Sequence, residues 1–169
     1  FDGLNRGKDM LLTTGSGWIH THGLAVDPFD DNIVYVGSVY ETLTTMITGS
    51  HIFKSVDSGK TWVESDEGFP HEAKTAVHDM VVDPTNSLIV YAATTAREAY
   101  IGMGIYKSID AGKTWNSINN GLTDLNVDTI VVHPINSNIL LAATDGGIHK
   151  SIDSGGTWVN TLSYVSTDV

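Results

Sequence analysis

The octapeptide SVDSGKTW, residues 55–62, decides how this chain is read, because it returns as SIDAGKTW at 108–115 and as SIDSGGTW at 151–158. Asp57-Ser58-Gly59-Lys60 is the composition of a hairpin turn. An aspartate accepts hydrogen bonds from backbone N–H groups of its own turn. Gly59 supplies a positive-φ position without a Cβ clash. Ser55 and Thr61 are placed to tie down the strand ends, and Trp62 returns to the core with a large apolar area. The same roles fall to Ser108, Asp110, Gly112 and Trp115, and again to Ser151, Asp153, Gly155 and Trp158. These residues are therefore assigned to the shape of the turn rather than to chemistry.

The octapeptide closes a longer unit. GLAVDPFDDNIVYVGS (23–38), DMVVDPTNSLIVYAAT (79–94) and TIVVHPINSNILLAAT (129–144) align without a gap. Each unit resumes at IFKS, IYKS or IHKS, which runs into the octapeptide. Apolar, β-branched runs bounded by Asp-Pro, Asn and Gly read as strands. One unit thus gives strand A (LAVD), a proline turn, strand B (IVYVG), strand C (HIFKS) and, beyond the octapeptide turn, strand D (TWVES). No stretch keeps a helical period. The expected class is all-β, with three four-stranded antiparallel blades at about 18–66, 76–119 and 127–165. Residues 1–17 read as a tail or linker from a preceding blade, because GL at 3–4 repeats the tails GF (68–69) and GL (121–122).

The three octapeptides resemble the Asp-box, or bacterial neuraminidase repeat, S-x-D-x-G-x-T-W, and the repeat covers nearly the whole chain. The family includes sialidases, xyloglucanases, the sortilin luminal domain and a photosystem II assembly factor. The resemblance implies a β-propeller whose Asp-box hairpins join the third and fourth strands of each blade, opposite the usual active face. The motif carries fold information and little functional information. Propellers close with about 4–8 blades, so three blades make a partial propeller: either a piece of a longer ring, or half of a six-bladed ring built by a homodimer.

Within a blade the A–B and C–D turns share one face, and the B–C loops and D–A links share the other. The third B–C loop is the tight TDGG at 144–147, whereas 39–51 and 95–104 are enlarged, as is the link 5–22. The first enlargement brings Tyr40, Glu41 and Met46. The second brings Arg97, Glu98, Tyr100 and Met103, and the link brings Trp18 and His20. Aromatics with a few polar groups suit a sugar or peptide surface, and plain loop decoration is the competing reading. His22, His78 and Asp128 are equivalent positions at the start of the innermost strand, where a closed ring would set them at the channel mouth, with Asp79 beside them. His20 and His22 share a strand face by period two. Without cysteine and without a strong spacing they read as channel-lining polar residues rather than a metal site. His149 occupies the slot of Phe53 and Tyr106, so it reads as packing. His133 replaces Asp27 and Asp83 beside a turn proline. DPFDDN (27–32) lacks the glycine and later glutamate of a calcium loop and reads as a turn.

The formal net charge of -11 argues against nucleic acid or an anionic membrane as partner. No apolar run is long enough to span a bilayer, and with no cysteine there is no disulfide framework. The chain reads as soluble, and secreted or periplasmic placement is compatible with it. The leading expectation is a non-catalytic module that binds a protein or glycan through the B–C and D–A face. No catalytic residue, metal or cofactor is assigned. A glycoside hydrolase fragment is the alternative, xyloglucanase-like rather than sialidase-like, because the family's sialidases use an arginine triad and this chain has only Arg6 and Arg97. A purely structural, ring-completing unit is the third reading.

Overall fold

A computed structural model describes residues 17–42, 48–71, 75–96 and 102–163. The described chain is all-β. The strands are β1 (Gly17–Val26), β2 (Val34–Thr42), β3 (Thr48–Ser55), β4 (Val63–Glu64), β5 (Ala76–Asp83) and β6 (Asn86–Thr95). They continue as β7 (Gly104–Ser108), β8 (Asn116–Ser117), β9 (Val127–Val132), β10 (Leu140–Thr144), β11 (Gly147–Ser151) and β12 (Val159–Ser163). They form three antiparallel four-stranded sheets, each in sequence order, β1 to β4, β5 to β8 and β9 to β12. This is the meander of a propeller blade, repeated three times.

The octapeptide turns are built alike. The Ser55 hydroxyl donates to Asp57 Oδ1 at 2.7 Å and accepts the Gly59 N–H at 2.8 Å. The Thr61 N–H donates to Asp57 Oδ1 at 2.8 Å, and the Thr61 hydroxyl to Oδ2 at 2.6 Å. Asp110 and Asp153 accept the same set from Ser108 and Thr114, and from Ser151 and Thr157. Because Thr61 is bound to Asp57, strand D does not begin at Thr61. β4 and β8 are two residues long, continued by single bonds such as Ser65 N–H to the Ile52 carbonyl, 2.8 Å. Left-handed backbone extends beyond the glycine: Ser58, Ala111 and Ser154 have φ of 59°, 59° and 58°. That costs about 1–2 kcal/mol per residue, and at Ala111 and Ser154 donors from a neighbouring sheet offset it.

The core lies between sheets. Ala25, Tyr35 and Ile52 of the first meet Val77, Met80, Val82, Val90 and Tyr106 of the second, with Phe69 and Trp115. Tyr91, Ala93 and Ile105 of the second meet Val127, Ile130, Leu140 and Ala142 of the third, with Trp158. Polar contacts repeat at both seams. Lys54 Nζ and the Tyr35 hydroxyl donate to the carbonyl of left-handed Ala111, at 2.9 and 3.0 Å, and Lys107 Nζ donates to that of Ser154 at 2.9 Å. Trp115 Nε1 donates to the Ser65 carbonyl at 2.9 Å, and Trp158 Nε1 to that of Ile118 at 2.7 Å. Ser87 and Ser137 donate across the seams to Asp27 and Asp83. The GF and GL tails now have a cause. Gly68 and Gly121 take positive φ, and a Cβ on either would run into the carbonyl of Trp115 or Trp158.

One expectation is corrected. Most of 39–51 and part of 5–22 are strand rather than loop, because Gly17–Thr21 pairs with Ser38–Thr42, and Ser38–Glu41 pairs with Thr48–His51. Among the described residues the first sheet is therefore extended beyond the others on the B–C side.

The three turns predict acid sensitivity. Hydrogen bonds from the Thr61 hydroxyl and N–H, then Ser55, hold the Asp57 carboxyl at about 2, and Ser151 and Thr157 do the same for Asp153. At Asp110 burial pushes upward, but bonds from Thr114 and Ser108 outweigh it and again give about 2. In the unfolded chain an aspartate titrates near 3.9. The unfolded state therefore binds more protons between these values, and stability falls as pH falls. The contribution is complete above pH ~5 and lost on descending through about 2. Thermal midpoints measured from pH 6 to pH 2.5 should decline, and Asp110→Ala should cost about 1–3 kcal/mol at neutral pH with a shallower acid slope. An unchanged acid slope in Asp110→Ala would contradict this assignment.

Candidate functional site

Each innermost strand carries an irregularity at the same point. The pairing of β1 with β2 slips between Thr21 and Leu24, and that of β5 with β6 between Val77 and Asp79. In the third sheet Val127 opposes Thr144 and Thr129 opposes Ala143, leaving Asp128 as the extra residue. These are β-bulges, which re-aim a side chain and twist the strand. They fall on His22, His78 and Asp128, the three positions that the repeat alignment makes equivalent.

The bulges bring these residues together across the blades. The His22 and His78 rings stack with centroids 5.6 Å apart and planes 17° apart. His78 Nδ1 lies 2.9 Å from the Asp128 carbonyl oxygen. A carbonyl only accepts, so this Nδ1 carries the proton and, in the neutral ring, Nε2 is left as an acceptor. Asp128 is exposed, and His22 and His78 are half-buried. The result is a stacked imidazole pair tied through His78 to the backbone of Asp128, at the B–C end of the inner strands.

Asp79 has another role. Its Oδ1 accepts the Met80 N–H at 2.9 Å, and its Oδ2 accepts the Thr129 hydroxyl at 2.6 Å and the Ile130 N–H at 2.9 Å. Both oxygens are thus engaged, Oδ2 in joining β5 to β9 and Oδ1 within β5. Trp18 opposes Glu41 and His20 opposes Val39 in the β1–β2 pairing, while Tyr40 opposes Ile19. Trp18, His20, Tyr40 and Glu41 all lie on the extended part of the first sheet. Arg97 and Tyr100 lie outside the described residues, as do Met46 and Glu98.

The remaining histidines divide in two. His149 is fully buried; its Nε2 accepts the Thr123 N–H at 3.2 Å and lies 2.9 Å from the Thr123 hydroxyl. His133 Nδ1 accepts the Ile135 N–H at 3.4 Å, in the place where Asp27 and Asp83 accept from Phe29 and Thr85. Both are structural, as their slots indicate. His51 and His71 were left unassigned by the sequence. They meet Glu64 and Asp66 where β3 pairs with β4 and the link to β5 turns back. No spacing motif announces that meeting.

Among the described residues no helix is long and apolar enough to cross a membrane. The Sortilin-Vps10 family model, described as sortilin, neurotensin receptor 3, matches residues 50–168. The chain is 30% identical over 114 residues to a xyloglucanase of Hypocrea jecorina, covering 63% of this chain and 13% of that protein. It is 27% identical over 99 residues to xyloglucanase Xgh74A of Acetivibrio thermocellus, covering 56% of this chain and 11% of that protein. The chain thus spans about an eighth of the length of these relatives. An ancestral GH74 enzyme superposes with a TM-score of 0.65 at 21% identity, over 86% of this chain and 19% of that one. The GH74 xyloglucanase from Xanthomonas campestris gives 0.62 at 13%, over 85% and 23%. These structural likenesses establish the propeller fold.

Proposed function

The chain belongs to the Sortilin-Vps10 family, and from that premise we propose that it is a non-catalytic Asp-box propeller module that binds a glycan on the face where the B–C loops and D–A links gather. The observation that carries this reading is the row of bulges that sets the stacked His22 and His78 beside Asp128. Ring faces take up sugar C–H surfaces, and a carboxylate takes sugar hydroxyls. The relatives named xyloglucanase supply the ligand class, a xyloglucan-type polysaccharide. Glycosidic cleavage needs two carboxyl groups spaced about 5–9.5 Å across the bond. Asp79, one residue past His78 in the same row, is held by three donors, which favours binding over hydrolysis.

Affinity electrophoresis or calorimetry with xyloglucan tests the reading. The parent should be retarded without releasing reducing ends. His78→Ala, which removes half of the stacked platform, should weaken binding by about tenfold, near 1.4 kcal/mol. Absence of retardation would remove the glycan reading. Release of reducing sugar would replace it with the second one, a segment of a glycoside hydrolase, which the named relatives favour.

A further part of the proposal concerns the open ends. Leu24 is 61% exposed on the first sheet, where the equivalent Met80 and Ile130 are 4% and 2% exposed. Leu141 is 40% exposed on the third sheet, where the equivalent Tyr35 and Tyr91 are fully buried. Lys150 stands where Lys54 and Lys107 reach the next left-handed carbonyl, and Ser58 offers such a carbonyl at the other end. The two ends are complementary by the chemistry of the internal seams. Taken by itself, the chain closes them with a second copy, giving a six-bladed ring. Within a longer chain, further blades would take the same places.

A further inference from the structure

We propose that His51, Glu64, Asp66 and His71 form a metal site for a zinc-class divalent cation at the outer edge of the first sheet, stapling β3, β4 and the link that leads into β5.

The four ligand atoms, His51 Nδ1, Glu64 Oε1, Asp66 Oδ2 and His71 Nδ1, converge: His51 Nδ1 is 2.7 Å from Glu64 Oε1 and 3.1 Å from Asp66 Oδ2, and His71 Nδ1 is 3.5 Å from the same Asp66 oxygen. All four lie within 4.8 Å of one another. Zinc bonds of about 2.0–2.2 Å to histidine nitrogen and carboxylate oxygen, arranged tetrahedrally, place ligands about 3.3–3.5 Å apart. The observed spacings need only small side-chain adjustments to reach that shape. The donor set of two imidazoles and two carboxylates suits zinc and its neighbours in the first transition row better than calcium or magnesium, which take oxygen alone. Asp66 is buried, while Glu64 and His71 are partly exposed and leave a path for an ion to enter.

The second sheet shows that the fold does not require this chemistry. The repeat places Asn119 where the first sheet has Asp66. Asn119 Oδ1 accepts the Ile105 N–H at 2.7 Å, and its Nδ2 donates to the Met103 carbonyl at 2.8 Å. Asp66 Oδ2 likewise accepts the Ile52 N–H, at 3.3 Å. An amide therefore suffices for the turn. Gly104 and Ser117 stand at the positions of His51 and Glu64. Only the first sheet replaces amide, glycine and serine by a carboxylate, an imidazole and a second carboxylate, and then adds His71. Four protein ligands with no open position mark a structural rather than a catalytic site.

The test is calorimetric titration of the tag-free, chelator-treated chain with zinc chloride, paired with cobalt absorption spectra and thermal melts. The expected result is one ion per chain, a tetrahedral cobalt spectrum and a melting temperature several degrees higher with zinc. Asp66→Asn copies the second sheet and keeps the Ile52 bond, so it should fold as the parent does. It should weaken zinc affinity at least tenfold, as should His71→Gln on the exposed side. Zinc titration with no heat and no thermal shift in the parent overturns the proposal. So does one-to-one binding that both variants retain in full, or a response to calcium in place of zinc.

Discussion

Replacing Trp115 by alanine is expected to cost about 3–5 kcal/mol, the range for deleting a buried aromatic side chain. Trp115 is among the largest fully buried side chains, wedged into the seam between the first two sheets. Its Nε1 is shared between the Ser65 and Gly112 carbonyls, at 2.9 and 3.0 Å. Truncation leaves a cavity between sheets and strips the Ser65 carbonyl of its partner from the next blade. Trp62 occupies the same motif position in the first sheet, but it is only half-buried and, among the described residues, its Nε1 reaches no carbonyl beyond its own turn at Gly59. In an isolated chain, Trp62→Ala should therefore cost well under half as much. Urea midpoints of the two variants measure the contrast. Equal losses in a monomeric sample would mean that the octapeptide tryptophan acts within its own turn and not at the seam.

Association should be nearly as large an effect. A six-bladed ring closed by two copies would bury Leu24, Val26 and Trp62 of one copy against Val131, Leu141 and Ile148 of its partner, twice. Each such seam should cover on the order of 800 Å² per side, the size of a standard specific interface. Light scattering at micromolar concentration should then report twice the 18.2 kDa chain mass. Leu24→Asp places a charge in both seams at once, and should shift the sample to monomer without altering the internal seams. Trp62→Ala becomes costly only in the associated form, which ties this result to the first. A parent chain that remains monomeric and well behaved overturns closure by a second copy.

Turn chemistry and repetition were legible without coordinates. S-x-D-x-G-x-T-W prescribes a local hydrogen-bond set within a handful of residues, so its geometry follows from the residues themselves. Gapless repetition then sets three equivalent four-stranded units, and the all-β class follows from the absence of a helical period. The equivalence of His22, His78 and Asp128 was also readable from alignment alone. Their stacking was not, because a bulge is a slip in pairing between two strands and leaves no mark in either strand's own sequence. The left-handed backbone of Ala111 and Ser154 was hidden for a related reason. Its cost is offset by Lys54, Tyr35 and Lys107, which belong to a neighbouring sheet. Asp79 is placed beside the row of His22, His78 and Asp128 by position and proved engaged, since two of its three donors come from β9, some fifty residues away. The glycines of the GF and GL tails look like ordinary turn residues until the next sheet's tryptophan carbonyl is set against them. His51, Glu64, Asp66 and His71 share no spacing that a metal motif would carry, and only the pairing of β3 with β4 and the return of the link converge them. What the sequence determined by itself is everything settled within one turn or repeated at a constant interval. What the tertiary structure decided is every contact whose two halves lie in different blades or on opposite sides of a link, because those energies depend on distances that the chain acquires only after its sheets have packed.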